Sequence, residues 1–324
     1  MTGLQTPLRP ARGAAASRPR IDLRQNILYV GFAVLFVFFA ATLGDEGFTS
    51  SNNLLNIIRQ TATISVMAVA VTFVIGAAEI DLSVGAVAGL ASVVCAMALD
   101  SYGLAVGILA GVLLGATVGA INGSLVVGLG IPSFLVTLGM LGIAHGTAQW
   151  ITDSAPQPIL DDSFNAVFGS GDVGPIPSLV LWTLAAVIIG HVMLRRTSYG
   201  RGVLATGGNE EAARFSGVPS RRIKFTVLMV SSIVAALAGM LYAGRLESGR
   251  FQWGEGDELS VIAAVILGGT SLFGGRASVI GALLGSLTIG LINNGLTLMG
   301  LEFSQQQIVR GAIIILAVAL ARRA

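Results

Sequence analysis

The sequence contains one cysteine, Cys95, and two histidines, His145 and His191, in 324 residues. A lone cysteine inside an apolar run has no disulfide partner and no soft ligand set for a metal, and reads as an inert buried thiol. The histidines stand alone, whereas a metal site wants several converging donors, so both read as packing or interface residues and no metal is expected. Charge is scarce too: Asp, Glu, Lys and Arg make up 11% of the chain, against about 25% in soluble proteins. There is no Gly-x-x-x-x-Gly-Lys-[Ser/Thr] phosphate loop, so ATP binding of that kind is excluded and no cofactor is expected in this chain. Neither a Gly-x-Ser-x-Gly elbow nor a His-Glu-x-x-His pair occurs, and no other catalytic constellation replaces them, which argues against an enzyme. The apolar runs hold too few ionisable residues for an obvious ion-driven carrier, so energy for uphill transport must come from another subunit.

What is present is apolar length. The chain is 54% hydrophobic and carries 43 glycines. Runs of spanning length recur throughout, and small residues let membrane helices pack closely. The expected fold is all-α: a polytopic integral membrane protein of about ten crossings, or eight if one adjacent pair only dips into the bilayer. The spans expected are Ile27–Leu43, Thr61–Ala78, Leu82–Leu99, Leu104–Gly123, Ile131–Trp150, Ser178–Leu194, Phe225–Gly244, Leu259–Leu267, Ser278–Leu296 and Gln306–Ala321. The eighth is short enough to be a half-helix or re-entrant element. A short interfacial helix is expected at Ser51–Ile58, within a polar connection.

Charge placement orients the chain. Residues 1–26 hold Arg9, Arg12, Arg18, Arg20 and Arg24 against Asp22 and read as a disordered cytoplasmic tail. A secretory signal is rejected because further spans follow the first. Asp153, Asp161, Asp162 and Asp172 lie in a loop without Lys or Arg, expected outside. The loop 195–224 carries Arg195, Arg196, Arg201, Arg214, Arg221, Arg222 and Lys224 against two glutamates, expected inside. Both termini then lie in the cytoplasm, and residues 27–324 form a single transmembrane domain. A weak internal echo also appears. Gly111-Val-Leu-Leu-Gly115 resembles Gly281-Ala-Leu-Leu-Gly285, Gly119-Ala-Ile-Asn122 resembles Gly290-Leu-Ile-Asn293, and Asp81-Leu-Ser-Val84 resembles Glu258-Leu-Ser-Val261. Five spans separate each pair, as in two inverted five-helix halves.

The basic loop contains a small helix written out in full. Gly207 and Gly208 precede Asn209, an N-cap; Glu210 and Glu211 suit the first turn; Ala212 and Ala213 favour helix. Arg214, Phe215 and Ser216 follow, and Gly217 closes the turn before Pro219. Such a capped helix outside the membrane either docks in a partner's groove or merely connects two spans. Among polar residues near the spans, Glu79 and Asp81 stand at a break between apolar runs. They either face inner water or mark function, and Asp81 with Ser83 can cap the next helix. Asn122, Asn293 and Asn294, with Thr137, Gln149, Thr270 and Ser271 as weaker candidates, either glue helices together or contact a polar solute.

Several stretches together resemble one family. They are Asn53–Thr61, Glu79-Ile-Asp-Leu-Ser-Val-Gly85, Ile131-Pro-Ser-Phe-Leu-Val-Thr-Leu138, Ser198-Tyr-Gly-Arg201, Gly207–Gly217, Ala263–Leu272 and Leu291-Ile-Asn-Asn-Gly295. The chain resembles the membrane-spanning permease subunit of bacterial ABC sugar importers of the ribose/xylose/galactoside branch, over about residues 50–320. The resemblance implies import of a monosaccharide or related polyol across the inner membrane. It implies a second permease copy, identical or related, a separate cytoplasmic ATPase that binds the ATP, a soluble sugar-binding protein and membrane lipid, with no nucleic acid. It also makes Gly207–Gly217 the coupling helix that rests on the ATPase. Glu79 departs from the family pattern, where glycine often precedes Ile-Asp-Leu-Ser. An ion-coupled secondary carrier is the alternative.

Overall fold

The computed structural model describes residues 23–302, 304–309, 311–312 and 315. The arginine-rich tail lies outside the described residues up to residue 22, and most of the expected last span lies outside them as well. The elements are helical: α1 (Leu23–Thr42), α2 (Ser51–Gly76), α3 (Val84–Tyr102), α4 (Leu104–Leu129), α5 (Ser133–Thr152), α6 (Asp162–Phe168), α7 (Ser178–Arg196), α8 (Ser198–Gly208), α9 (Glu210–Phe215), α10 (Ser220–Leu246), α11 (Asp257–Leu267) and α12 (Val279–Leu298). Strand is confined to two-residue antiparallel pairings, Gln157–Pro158 with Ser248–Gly249 and Asp172–Val173 with Ile176–Pro177. Among the described residues, seven helices are long and apolar enough to cross a membrane: α2, α3, α4, α5, α7, α10 and α12. The chain is a polytopic all-α membrane protein.

Where helix boundaries differ from the sequence expectation, local satisfaction of polar groups explains the shift. The expected interfacial helix Ser51–Ile58 is the first part of α2 itself. Ser50 caps it by accepting the Asn53 N–H at 3.3 Å, and the Asn53 amide pairs with Asn294, so the polar stretch continues as helix. The basic loop contains α8 besides the expected α9, and the acidic loop contains α6, started by Asp161 accepting the Phe164 N–H at 2.8 Å. α3 starts at Val84 rather than Leu82.

Two helices sit at the centre. α2 packs against α7, α10, α11 and α12, and α10 packs against α2, α3 and α4. α10 lies along α4 as α2 lies along α12, and α3 meets α4 as α11 meets α12. Close approach on α4 depends on glycine. Gly111, Gly115, Gly119 and Gly123 recur every fourth residue and share one face. A Cβ at Gly119 would sit 2.6 Å from Met229 Cα, and one at Gly115 2.7 Å from Ala236 Cβ. With little hydrophobic drive between helices in lipid, such contact is the main attraction. Gly119→Leu is expected to cost about 1–3 kcal/mol through overpacking, read as a lower melting temperature in detergent. Gly139→Ala on α5, where a Cβ meets nothing within 4 Å, should leave it unchanged.

Candidate coupling and translocation site

α9 is six residues long and stands because both ends are closed. Asn209 accepts the Ala212 N–H at 2.9 Å, with Glu210 and Glu211 in the first turn. Gly217 takes φ +82°, and the Val218 N–H returns to the Ala213 carbonyl at 2.9 Å. Only Ala213 of this helix is buried, while Glu211, Ala212, Arg214, Phe215 and Ser216 are exposed. Phe215 is 86% exposed, and Phe273, in the turn between α11 and α12, is 75% exposed.

Two connections hold α9 to the bundle. The first is backbone against backbone. A Cβ at Gly207, in the last turn of α8, would collide with the Gly76 carbonyl and approach the Gly275 nitrogen. The Gly275 N–H itself donates to the Gly76 carbonyl at 3.1 Å. The ends of α2 and α8 and the α11–α12 turn thus meet without an intervening side chain. Gly208 borders the same junction, facing the Gly275 Cα. The second connection is ionic. Lys224, in the first turns of α10, lies 2.7 Å from Glu79 Oε1 and 2.7 Å from Glu210 Oε2. The Glu79 side chain is only 8% exposed, so Lys224 supplies the compensation that a buried carboxylate requires. A cleft of about 400 Å³ opens beside these groups, lined also by Ser133, Arg214 and Arg221.

Behind Glu79 the chain is irregular up to α3, and side chains of neighbouring helices take up its backbone. Ser133 Oγ accepts the Ile80 N–H and Thr137 Oγ1 accepts the Leu82 N–H, each at 3.0 Å. Asp81 Oδ1 accepts the Ser83 N–H at 2.9 Å and the Ser83 hydroxyl at 2.6 Å. Asn122 Nδ2 donates to Ser83 Oγ at 3.2 Å. Asp81, Ser83, Asn122 and Thr137 therefore form one fully buried knot that fastens the start of α3 to α4 and α5. Here Asp81 organises the entry to α3.

The other expected pathway residues lie elsewhere. Thr270 accepts the Ser278 N–H at 3.2 Å, and the Ser271 N–H donates to the Arg276 carbonyl at 2.9 Å, so both shape the α11–α12 turn. Asn294 exchanges amide hydrogen bonds with Asn53 at 3.0 and 2.8 Å near the far end of the bundle. Asn293 beside it is half-buried. Among the described residues no group of three or more His, Cys, Asp or Glu is placed to hold a metal.

Residues 53–318 match the family described as "Branched-chain amino acid transport system / permease component". The chain belongs to that family. The permease is 42% identical to "Probable ABC transporter permease protein YphD" of Escherichia coli K12, over 90% of this chain and 87% of that one. It is 38% identical to "Ribose import permease protein RbsC" of Bacillus subtilis 168, covering 91% and 92% of the two chains. It is 33% identical to "L-arabinose ABC transporter permease protein AraH" of Azospirillum brasilense, covering 95% and 92%. No solved structure matches. A permease component of an ABC transporter moves solute and performs no covalent chemistry.

In the sequence Lys224 stands only as a loop charge and Ser133 only as part of a motif; their roles, and the glycine contact at Gly76, come from the fold. A lone lysine opening a span and a lone glutamate closing another were the available signal for the ion pair. In the permease, Lys224→Met strands the buried Glu79 carboxylate and is expected to cost up to about 3 kcal/mol. The double variant Lys224→Met/Glu79→Gln should recover most of the loss. Thermal unfolding of purified protein in detergent checks both.

Proposed function

We propose that this permease is the membrane-spanning subunit of an ATP-driven importer of a monosaccharide or related polyol, with α9 as its coupling helix. The exposed, doubly capped α9, joined to the bundle by the Gly207 junction and Lys224, is the observation that carries this reading. Relatives named for ribose and arabinose support the sugar class. An ion-coupled carrier is not favoured: the buried ionisable groups near α9 are taken up in a salt bridge and a helix entry.

In this reading the end carrying α8 and α9 faces the cytoplasm, following its excess of Lys and Arg. Ten crossings follow if α1, the broken span ending in α11 and the terminal helix each count as one, and both termini then lie inside. The two halves are inverted repeats. A second permease copy completes the pathway, a separate ATPase pair binds the ATP, and a soluble protein delivers sugar from outside. ATP-driven closure of the ATPase pair moves α9 as a rigid body, and the spans rock between two openings. Gly207–Gly217 is the docking element, and Phe215 is its apolar anchor.

Burying a phenyl ring contributes roughly 1.5–3 kcal/mol. Phe215→Asp and Glu211→Arg should therefore weaken co-purification with the ATPase and abolish ATP-dependent sugar uptake, while membrane insertion stays normal. Normal uptake and normal association in both variants would exclude α9 as the coupling element.

A further inference from the structure

The chain between α10 and α11 descends into the bundle without helix. Its contacts with α3 run in steps: Gly249 packs on the Ser92 carbonyl, the Phe251 carbonyl on Gly89, and the Gly254 carbonyl on Gly85. α3 itself begins at depth, since Ser83 touches Asn122, two turns inside the end of α4. The irregular segment therefore lies within the apolar slab, beside the span Val84–Tyr102. At its foot the first turns of α3 and α11 meet, because a Cβ on Gly85 would lie 2.5 Å from Glu258 Oε2. Two helix N-termini converging inside a membrane bring their positive dipole ends to one place.

The outer side of this segment is polar and open. Gln252 and Glu255 are exposed, and Phe251 and Glu258 are half-buried. Neither glutamate takes part in a salt bridge among the described residues. Arg250, the nearest cation in sequence, lies over the Trp253 ring with its guanidinium carbon 5.4 Å from the ring centroid. α5 extends the same face. The His145 ring meets Phe251 edge-on at 5.4 Å, and Gln149 Nε2 lies 3.3 Å from His145 Nε2. Lipid cannot cover this surface: irregular backbone and carboxylates at membrane depth persist only inside protein or along a water-filled passage.

We propose that His145, Gln149, Phe251, Gln252, Glu255 and Glu258 line the solute passage and hold a neutral polyhydroxylated solute in transit. The chemistry fits that class. Carboxylates and amides accept and donate to several hydroxyls at once, and an aromatic ring covers the apolar face of a sugar. The opposite wall of the passage is supplied by the second copy. This assignment rests on the sugar-import reading for its ligand and on burial physics alone for its wet surface.

The test uses the permease–ATPase complex in proteoliposomes, with buried Cys95 replaced by serine. Gln252→Cys and Glu255→Cys are expected to react with a membrane-impermeant methanethiosulfonate. Leu113→Cys, on the exposed apolar face of α4, should react only with a membrane-permeant maleimide. Failure of both polar positions to react with the soluble reagent overturns the passage, whatever the solute. For the ligand, uptake of ribose and of arabinose is measured with the soluble binding protein. Gln149→Ala and Glu258→Gln should raise KM about fivefold to tenfold with ATPase association unchanged. Wild-type KM in both variants overturns the contact assignment. If the wild-type complex carries neither sugar with ATP, the sugar-import reading fails while the labelling still decides whether the surface is wet.

Discussion

Backbone N–H and carbonyl groups inside an apolar slab must be satisfied within the protein, and the stretch between α2 and α3 shows how this chain does it. Once α2 stops at Gly76, the Ile80 and Leu82 N–H groups go to hydroxyls of Ser133 and Thr137 on α5, and Ser83 goes to Asp81. Those bonds let α3 begin deep in the bundle. They also fix α4 through Asn122. Remove them and the second broken segment, which rests on α3 from Ser92 down to Gly85, loses its bed. One requirement, met by the side chains of Ser133, Thr137 and Asp81, organises both interruptions of the helical pattern.

The same stretch links outward. Glu79 opens it and is held by Lys224, which also holds Glu210 at the start of α9. Lys224 therefore ties the start of the small helix to Glu79, from which the chain runs two residues to the buried knot at Asp81. Under the proposed coupling, the residues that matter are those that fix one element against another. The apolar pairings of α10 with α4 and of α2 with α12 supply stiff blocks for such movement.

Local signals were legible in the sequence and long-range ones were not. Asn209 and Gly217 announce α9 because a cap is a matter of neighbouring residues, and the structure closes the helix at both. Hydrophobic runs gave the long spans, and the brevity of α11 was visible for the same reason. α8 escaped notice because Gly200, Gly202, Gly207 and Gly208 weaken helix propensity, and it is held instead by contacts with α7 and α10. The Asn53–Asn294 pair and the Lys224–Glu79 pair join residues far apart in the chain; for the second, lone charges at two span ends were a signal, but which charge meets which depends on the fold. The polar candidates Thr270, Ser271 and Asn294 were visible as residue types, but their places in a turn and in an amide pair depend on the fold.

Gly207 has one more consequence. Side chains hop between rotamers and absorb small displacements as a cushion does; a main chain resting on another main chain has no such slack. Where α8 leans on Gly76 and Gly275, no side chain stands between the backbones, and the junction at the foot of α2 is stiff. That stiffness comes from the missing methyl group, and any larger residue would push α8 away from the foot of α2.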